Sequence, residues 1–289
     1  MHYEGNIFRP PSEANSILLQ VTCGCSHNKC SFCGMYKGTR FTIKDEDVLL
    51  ADIDFAARHC RKQTRLFLCD GDVLNSPQKR LKTILIAIRE KLPWITRVGT
   101  YANTKSVMRK PPEQLRELYD LGLTMAYMGL ESGDDETLQK INKGADSRRM
   151  IEMGKKIRAA GMKLSITVLL GIAGRERSDI HASETGRVLS AIDPEYVGAL
   201  SLMLTPGTPL YDDYSAGNFS LPEPAGMLRE LRLMFACTDL SDGYFHANHA
   251  SNYLPIKAKL PRDKEAVLGL IDSALMGETA LKPEYMRAL

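Results

Sequence analysis

Ile17-Leu18-Leu19-Gln20-Val21 is a strongly apolar run, and the loop Gly24-Cys25-Ser26-His27-Asn28-Lys29-Cys30-Ser31-Phe32-Cys33 begins three positions after it. A buried strand that ends in a cluster of thiols is suited to hold an iron–sulfur cluster or zinc. The active sites of α/β barrels also lie at the carboxyl ends of their strands. The stretch therefore predicts a metal-dependent site at the end of a strand.

The bulk composition of the 289-residue chain is that of an ordinary globular protein, with 44% hydrophobic and 25% charged residues. The net charge of +3 gives little attraction to nucleic acid or to an anionic membrane. Residues 1–5 lack the pattern of a signal peptide, and no apolar run reaches the ~20 residues of a membrane span. Seven cysteines, an odd number, do not indicate a secreted disulfide framework. We expect a cytoplasmic protein, with no membrane and no nucleic acid as partner.

Apolar, β-branched runs alternate with helical patterns through the first 210 residues. This alternation predicts parallel strands joined by right-handed helical crossovers. Six such units are fewer than the eight of a closed barrel. The expected fold class is therefore α/β, an open partial (β/α)6 parallel barrel with its mouth lined by strand ends. The predicted strands are 16–22, 65–69, 95–101, 124–130, 163–171 and 195–203.

The pattern changes after residue 205, where prolines disfavour continuation of the strands. Helical patterns return at 223–237 and 262–275, with a polar segment at 245–253 between them. The polar segment contains His246 and His249, which can contact substrate or bind metal, although such residues are more often hydrogen-bonded or solvated. The expected organisation is a lead-in, a barrel and a mainly helical extension packed on the barrel, over residues 1–15, 16–210 and 211–289.

The cysteine loop is compatible with two kinds of metal site, an iron–sulfur cluster and a zinc site. Three thiolates can hold three irons of a 4Fe–4S cluster, and the fourth iron then accepts an exogenous ligand. A zinc site needs a fourth ligand, for which His27 is the nearest candidate. The spacing favours iron–sulfur, because the chain has no second CxxC pair. Cys23 competes with Cys25 for the first ligand position, but Cys23 lies nearer the strand and Gly24 precedes Cys25.

Further motifs follow the predicted strands in barrel order. Together with Phe32 just before the last cysteine, they resemble the radical S-adenosylmethionine (SAM) enzymes over residues 16–210. The branch they are most similar to includes the oxygen-independent coproporphyrinogen dehydrogenases and the elongator catalytic subunit. The cysteine spacing here is CX4CX2C rather than the common CX3CX2C, and a loop can absorb this insertion. The motif after the fourth strand is Gly129-Leu130-Glu131-Ser132-Gly133, followed by Leu138, Ile141, Asn142, Lys143 and Gly144. The other motifs are Leu68-Cys69-Asp70-Gly71-Asp72, Leu170-Gly171-Ile172-Ala173-Gly174-Arg175-Glu176 and Pro206-Gly207-Thr208-Pro209-Leu210.

The resemblance implies two cofactors, one 4Fe–4S cluster bound by Cys25, Cys30 and Cys33, and SAM. It implies an oxygen-sensitive enzyme that reductively cleaves SAM to a 5′-deoxyadenosyl radical and abstracts hydrogen from a small or medium organic substrate. An electron donor such as flavodoxin or ferredoxin is then a partner. The alternatives are a non-catalytic, cluster-bearing carrier of a haem-like cofactor and, less favoured, a structural zinc protein.

The same resemblance identifies candidate SAM contacts at the strand ends, without assigning a catalytic residue. An aspartate can accept a hydrogen bond from the SAM amino group, and Glu131 or Ser132 can reach the ribose or the methionine moiety. Arg148 can form an ion pair with the carboxylate of SAM. The competing interpretations are turn formation for the glycines, capping for the aspartates, solvation for Arg148 and packing for Met203. The candidates are Phe32, Asp70, Gly71, Asp72, Tyr101, Asn103, Glu131, Ser132, Arg148, Gly171 and Met203.

Overall fold

The computed structural model describes residues 1–288 of the chain. These residues form two compact units. The first unit contains residues 1–28, 35–128 and 155–164. The second unit contains residues 29–34 and 129–154, together with the chain from 165 onward.

Ten strands are present within residues 1–288. The larger sheet has the order β1-β4-β5-β6-β7-β8-β9-β10, and β2 pairs with β3 in a small second sheet. In chain order the strands are β1 (Ile17–Gln20), β2 (Thr22–Cys23), β3 (Thr42–Ile43), β4 (Arg65–Cys69), β5 (Arg97–Tyr101), β6 (Leu123–Glu131), β7 (Lys163–Leu170), β8 (Tyr196–Ser201), β9 (Gly243–His246) and β10 (Lys257–Leu260).

Helices connect most of the parallel strands, as the alternating sequence pattern predicts. They are α1 (Glu46–His59), α2 (Gln78–Lys91), α3 (Thr104–Arg109), α4 (Pro112–Asp120), α5 (Asp135–Lys140), α6 (Ser147–Ala159), α7 (Ser178–Ile192), α8 (Pro209–Ser215), α9 (Pro224–Ala236) and α10 (Lys264–Leu275).

In the first unit, β1, β4, β5 and β6 pair in parallel. Four of the five residues of β4 are buried, as expected for a parallel strand that is covered on both faces. Helix α1 buries Leu49, Ile53 and Ala56 on one face. It has acidic residues in its first turn and basic residues in its last turn, which matches the helix dipole.

In the second unit, β7, β8 and β9 are parallel and β10 returns antiparallel to β9. The α/β class with a parallel sheet is therefore confirmed, and each of the six predicted strands is present. The C-terminal region contains α9 and α10 as expected, but β9 and β10 are additional. Each of these two strands has only four residues, so its alternation is too short to be recognised in the sequence.

No helix within residues 1–288 combines the length and the apolar character that crossing a bilayer requires. The division of the chain into 16–210 and 211–289 stays a prediction.

Candidate functional site

The end of β4 and the start of the cysteine loop lie together in the first unit. The amide of Gly71 donates to the carbonyl of Gly24 at 3.2 Å. A Cβ atom on Gly71 would lie 2.9 Å from Cε2 of Tyr36 and 3.0 Å from Cβ of Cys25. Only glycine allows this approach, so Gly71 has a packing requirement at a position predicted to bind SAM.

Asp70 is buried and fully engaged by its neighbours. The side-chain amide of Gln20 donates to Oδ2 of Asp70 at 2.9 Å, and the hydroxyl of Tyr36 reaches Oδ1 at 3.4 Å. Burial raises the pKa of Asp70, and these hydrogen bonds oppose the rise. The predicted SAM contact Asp70 is thus also an anchor for the Tyr36 ring beside Cys25.

Asp72 is completely buried, and hydroxyl groups are its hydrogen-bond donors. Ser26, which follows Cys25, donates to one carboxylate oxygen, and Ser106 on α3 donates to the other. Burial raises the pKa of Asp72 because two hydroxyls replace hydration incompletely. The carboxylate therefore ties the cysteine loop to α3.

Tyr101 is the last residue of β5, and Asn103 lies two residues beyond it. The ring of Tyr101 is half-buried and packs edge-on against Phe67, with centroids 5.0 Å apart. Oδ1 of Asn103 accepts from the amide of Lys105 at 2.9 Å and caps α3. Burial raises the pKa of the Tyr101 hydroxyl. Both candidates thus have structural roles at this strand end.

The remaining part of the cysteine loop lies in the second unit. The amide of Ser31 donates to the carbonyl of Ile141 at 2.9 Å, and the carbonyl of Ser31 accepts from Leu210 at 3.0 Å. Phe32 packs on a buried apolar cluster. Backbone bonds and this aromatic anchor therefore fix the segment that carries Cys30 and Cys33. The cluster consists of Leu138, Ile141, Ile172, Leu202 and Leu210.

Glu131, the last residue of β6, forms an ion pair with Lys143. The Nζ–Oε1 distance is 2.8 Å, and only 16% of the Lys143 side chain and 10% of the Glu131 side chain are exposed. Glu131 has a φ of 65°, a left-handed conformation that is uncommon for a residue other than glycine. Its side chain occupies the space above Gly129, where a Cβ atom would lie 2.1 Å from Oε1. Strain of this kind is typical of functional sites.

Lys143 is a site residue that the sequence analysis does not select. Burial by itself lowers the pKa of Lys143, but the negative charges of Glu131, Cys30 and Cys33 together raise it. The ammonium group therefore lies within electrostatic reach of two predicted cluster ligands. The signal in the sequence is that Lys143 is part of the motif after the fourth strand, although the resemblance assigns it no cofactor contact.

The last four candidates have different surroundings. Ser132 is completely buried, and its Oγ lies 2.8 Å from Nδ1 of His181. Gly171 has a φ of 81°, and its amide donates to Oε1 of Glu230 at 2.6 Å. Arg148 is exposed in the first turn of α6, and Met203 is half-buried after β8. No hydrogen bond connects Arg148 or Met203 to Ser132 or Gly171 among the contacts described for residues 1–288.

The polar segment after β9 is hydrogen-bonded to β8. Oδ1 of Asn252 accepts from the hydroxyl of Ser201 at 2.8 Å, and its amide donates to the carbonyl of Ala199 at 2.7 Å. Burial lowers the pKa of both His246 and His249, with lysine charges acting in the same direction. The segment therefore has a structural role in joining the C-terminal strands to β8.

The donor chemistry fits an iron–sulfur cluster, although no three or more His, Cys, Asp or Glu side chains of residues 1–288 are close enough together to hold a metal ion. Cys25, Cys30 and Cys33 are all partly exposed, whereas Cys23 is buried. The Cys23 thiol lies 3.6 Å from Oε2 of Glu4, and burial raises its pKa. Accessible thiols with a lysine beside two of them suit an anionic cluster better than a buried, protonated thiol does.

The sequence profile of the radical SAM superfamily matches residues 19–183. An uncharacterized protein of Methanocaldococcus jannaschii is 23% identical over 217 residues, which cover 70% of this chain and 65% of that protein. The chain thus matches slightly less than two thirds of the length of this curated relative.

Solved structures with a similar fold include three whose sequences are less than 20% identical. Methylornithine synthase has a TM-score of 0.54 at 17% identity, covering 78% of this chain and 63% of that chain. Coproporphyrinogen III oxidase from Escherichia coli has a TM-score of 0.54 at 14% identity, covering 76% of this chain and 51% of that chain. The archaeal Elp3 of Methanocaldococcus infernus has a TM-score of 0.52 at 13% identity, covering 91% of this chain and 63% of that chain. These similarities establish the fold.

Proposed function

Since the chain belongs to the radical SAM superfamily, we propose that it is an enzyme that reductively cleaves SAM and abstracts hydrogen from a small or medium organic substrate. The cofactors of the family are a 4Fe–4S cluster and SAM. The observation that carries the proposal is the loop after β1 and β2, in which three partly exposed cysteines occur within nine residues.

Cys25, Cys30 and Cys33 are the residues that would hold the cluster. When bound and reduced, the cluster would supply one electron for cleavage of the bond between sulfur and the 5′ carbon of SAM, which gives methionine and a 5′-deoxyadenosyl radical able to remove hydrogen from an unreactive C–H bond. The protein contributes position and exclusion of solvent. Gly71 lets the end of β4 approach Cys25, and Lys143 places a positive charge near Cys30 and Cys33.

The proposed partners are an electron donor and a small-molecule substrate. A donor such as flavodoxin or ferredoxin would supply single electrons, which is consistent with a cytoplasmic location. A small or medium organic molecule is favoured over nucleic acid, because the net charge of +3 gives little attraction to a phosphate backbone.

The proposal is tested by anaerobic reconstitution with iron and sulfide, followed by reduction in the presence of SAM. The wild-type protein is expected to be brown, to bind about four irons per chain and to release 5′-deoxyadenosine only with reductant. Cys30→Ala is expected to lose this release. Cys60→Ala is the matched control, because Cys60 is also partly exposed but lies outside the loop.

Three results would contradict the proposal. Undiminished 5′-deoxyadenosine release by Cys30→Ala would remove Cys30 from the cluster ligands. Colourless protein with about one zinc per chain would indicate the structural zinc site instead. Binding of haem without any SAM cleavage would support the carrier function.

A further inference from the structure

A buried polar chain in the second unit connects the carboxyl end of β6 to the carboxyl end of β7. Its members are Ser132, His181 on α7 and Glu230 on α9, and each of them is completely buried. Nδ1 of His181 lies 2.8 Å from Oγ of Ser132. Nε2 lies 3.4 Å from Oε1 of Glu230, a close polar contact that is not a hydrogen bond, so Nε2 is a buried atom without a hydrogen-bond partner. The chain ends at Gly171, whose amide donates to the same Oε1 atom.

The hydrogen bonds around Ser132 favour one tautomer of His181. The amide of Asp134 donates to Oγ of Ser132 at 3.0 Å, so the Ser132 hydroxyl is available to donate to Nδ1 of His181. In that tautomer the ring proton is on Nε2, and the electrostatic attraction of the Glu230 carboxylate 3.4 Å away favours it there. Thr185 supports this arrangement, because its hydroxyl lies 3.3 Å from Nδ1 and accepts from the amide of Gly133 at 2.8 Å.

The buried polar chain and its neighbours hold the backbone at the ends of both β6 and β7. At β7, the amide of Gly171 donates to Glu230, and the carbonyl of the same peptide group, on Leu170, accepts from Leu202 at 2.9 Å. The hydroxyl of Ser178 donates to the other oxygen of Glu230. At β6, Gly133 is so close to α7 that a Cβ atom would lie 2.3 Å from the carbonyl oxygen of Glu184.

Stability alone does not account for this arrangement. A buried carboxylate carries a large desolvation penalty, and a well-packed apolar group of the same volume is often at least as stabilising. The carboxylate does provide a directed contact to the Gly171 amide, at a φ of 81° that glycine adopts without penalty. The arrangement therefore favours precise placement of two strand ends over maximal stability.

We propose that Ser132, His181 and Glu230 form a positioning network that sets the affinity for SAM through the strand ends at Ser132 and Gly171. The inference rests on the proposed function and deepens it. Ser132 acts through His181, since its hydroxyl is engaged within the protein. Glu230 lies on α9, so a helix after residue 210 contributes to the SAM site although it follows the matched family region, which ends at residue 183.

The test measures the SAM dissociation constant of cluster-reconstituted protein by anaerobic equilibrium dialysis without reductant. Glu230→Gln is expected to raise the dissociation constant about tenfold, as substitutions of supporting outer residues commonly do. Ser132→Ala is expected to raise it about three- to tenfold through loss of one hydrogen bond. When reductant-dependent release of 5′-deoxyadenosine is measured, KM for SAM should rise while kcat at saturating SAM changes less than about twofold.

Two further variants define the origin of the effect. His181→Asn keeps an acceptor for Ser132 but cannot reach Glu230, so it should weaken SAM binding as Glu230→Gln does. Glu265→Gln is the control, because Glu265 is an exposed carboxylate on α10, and its dissociation constant should equal that of the wild type. Iron content and thermal unfolding are measured for every variant.

The network would be refuted if Glu230→Gln and Ser132→Ala bound SAM within twofold of the wild type, whether or not their melting temperatures fell. Weakening of equal size in Glu265→Gln would refute it too. If Glu230→Gln does not fold, Ser132→Ala and His181→Asn decide the question by the same criterion. Failure of the wild-type protein itself to bind SAM is a separate result, which would overturn the proposed function and the inference with it.

Discussion

Asp72 and Asp134 occupy equivalent positions in the two units, yet they have opposite electrostatic behaviour. Each lies three residues beyond the last residue of a parallel strand, β4 or β6. Asp72 is 0% exposed and Asp134 is 6% exposed. Burial raises the pKa of both carboxyl groups, but in Asp134 hydrogen bonds from Arg177 and Thr137 outweigh burial and bring the pKa down to about 2.

The difference lies in the partners. Asp72 receives hydrogen bonds from the hydroxyls of Ser26 and Ser106. Asp134 receives two from the guanidinium of Arg177, at 3.0 and 2.9 Å, and also caps α5 through the amide of Thr137. A guanidinium that binds a carboxylate in bidentate fashion stabilises its charge far more than neutral hydroxyls do. At the same position after a strand, the charged partner of Asp134 and its less complete burial thus favour the ionised state there, whereas the fold favours the protonated state of Asp72.

The largest expected effect is that of Asp134→Asn. The variant should lose about 2–3 kcal/mol of unfolding free energy at pH 7, because Arg177 then faces a neutral amide in a partly buried site. A folded pKa of about 2 lies below the ordinary 3.8, so the ionised carboxylate contributes stability above pH ~4 and loses it as the pH falls toward 2. Urea unfolding at pH 7 and pH 3 should show a smaller difference from wild type at pH 3.

Glu136→Gln serves as the control for Asp134→Asn. Glu136 also contacts Arg177, at 2.7 Å, but 48% of its side chain is exposed. Exposed pairs contribute little, so a loss of less than about 0.5 kcal/mol is expected. A difference between wild type and Asp134→Asn that stayed constant from pH 7 to pH 3 would rule out the depressed pKa of Asp134.

An intermediate effect is expected for Lys143→Met, which removes the cation beside Glu131. The side chains of this pair are mostly buried, so the variant should lose about 1–2 kcal/mol of unfolding free energy. Lys140→Met is the matched control on the same segment, because Lys140 pairs with Glu136 at 2.8 Å with 65% and 48% of the two side chains exposed. Equal losses in the two variants, measured by urea unfolding, would show that burial of the Glu131–Lys143 pair has no energetic consequence.

The smallest effect, of opposite sign, is expected for Asp72→Asn. The folded pKa of Asp72 is raised, so its ionisation destabilises the fold as the pH rises through the ordinary value of 3.8 and beyond. The asparagine variant should therefore gain stability relative to wild type between pH 3 and pH 7, by less than about 1 kcal/mol. Urea unfolding at both pH values measures this change. A relative loss over that range would mean that the hydroxyls stabilise the Asp72 carboxylate more than burial penalises it.

Much of the fold was predictable because strand formation has a local signature. The runs at 65–69 and 163–171 match β4 and β7 to within one residue, since buried parallel strands are continuous apolar segments. The strands β9 and β10 were not predictable, because four residues contain too few alternations to define a period. The cluster ligands Cys25, Cys30 and Cys33 and the SAM contacts stay predictions.

The sequence by itself determined the parallel α/β architecture and the family, because the strand pattern and the cysteine loop each depend on residues that are close together in the sequence. Only the tertiary structure decided the partners of the buried polar groups. His181 and Glu230 are 49 residues apart, and Asp134 and Arg177 are 43 residues apart. No periodicity or motif spans such distances, so the pairing, the sign of each pKa shift and the role of Lys143 follow from packing.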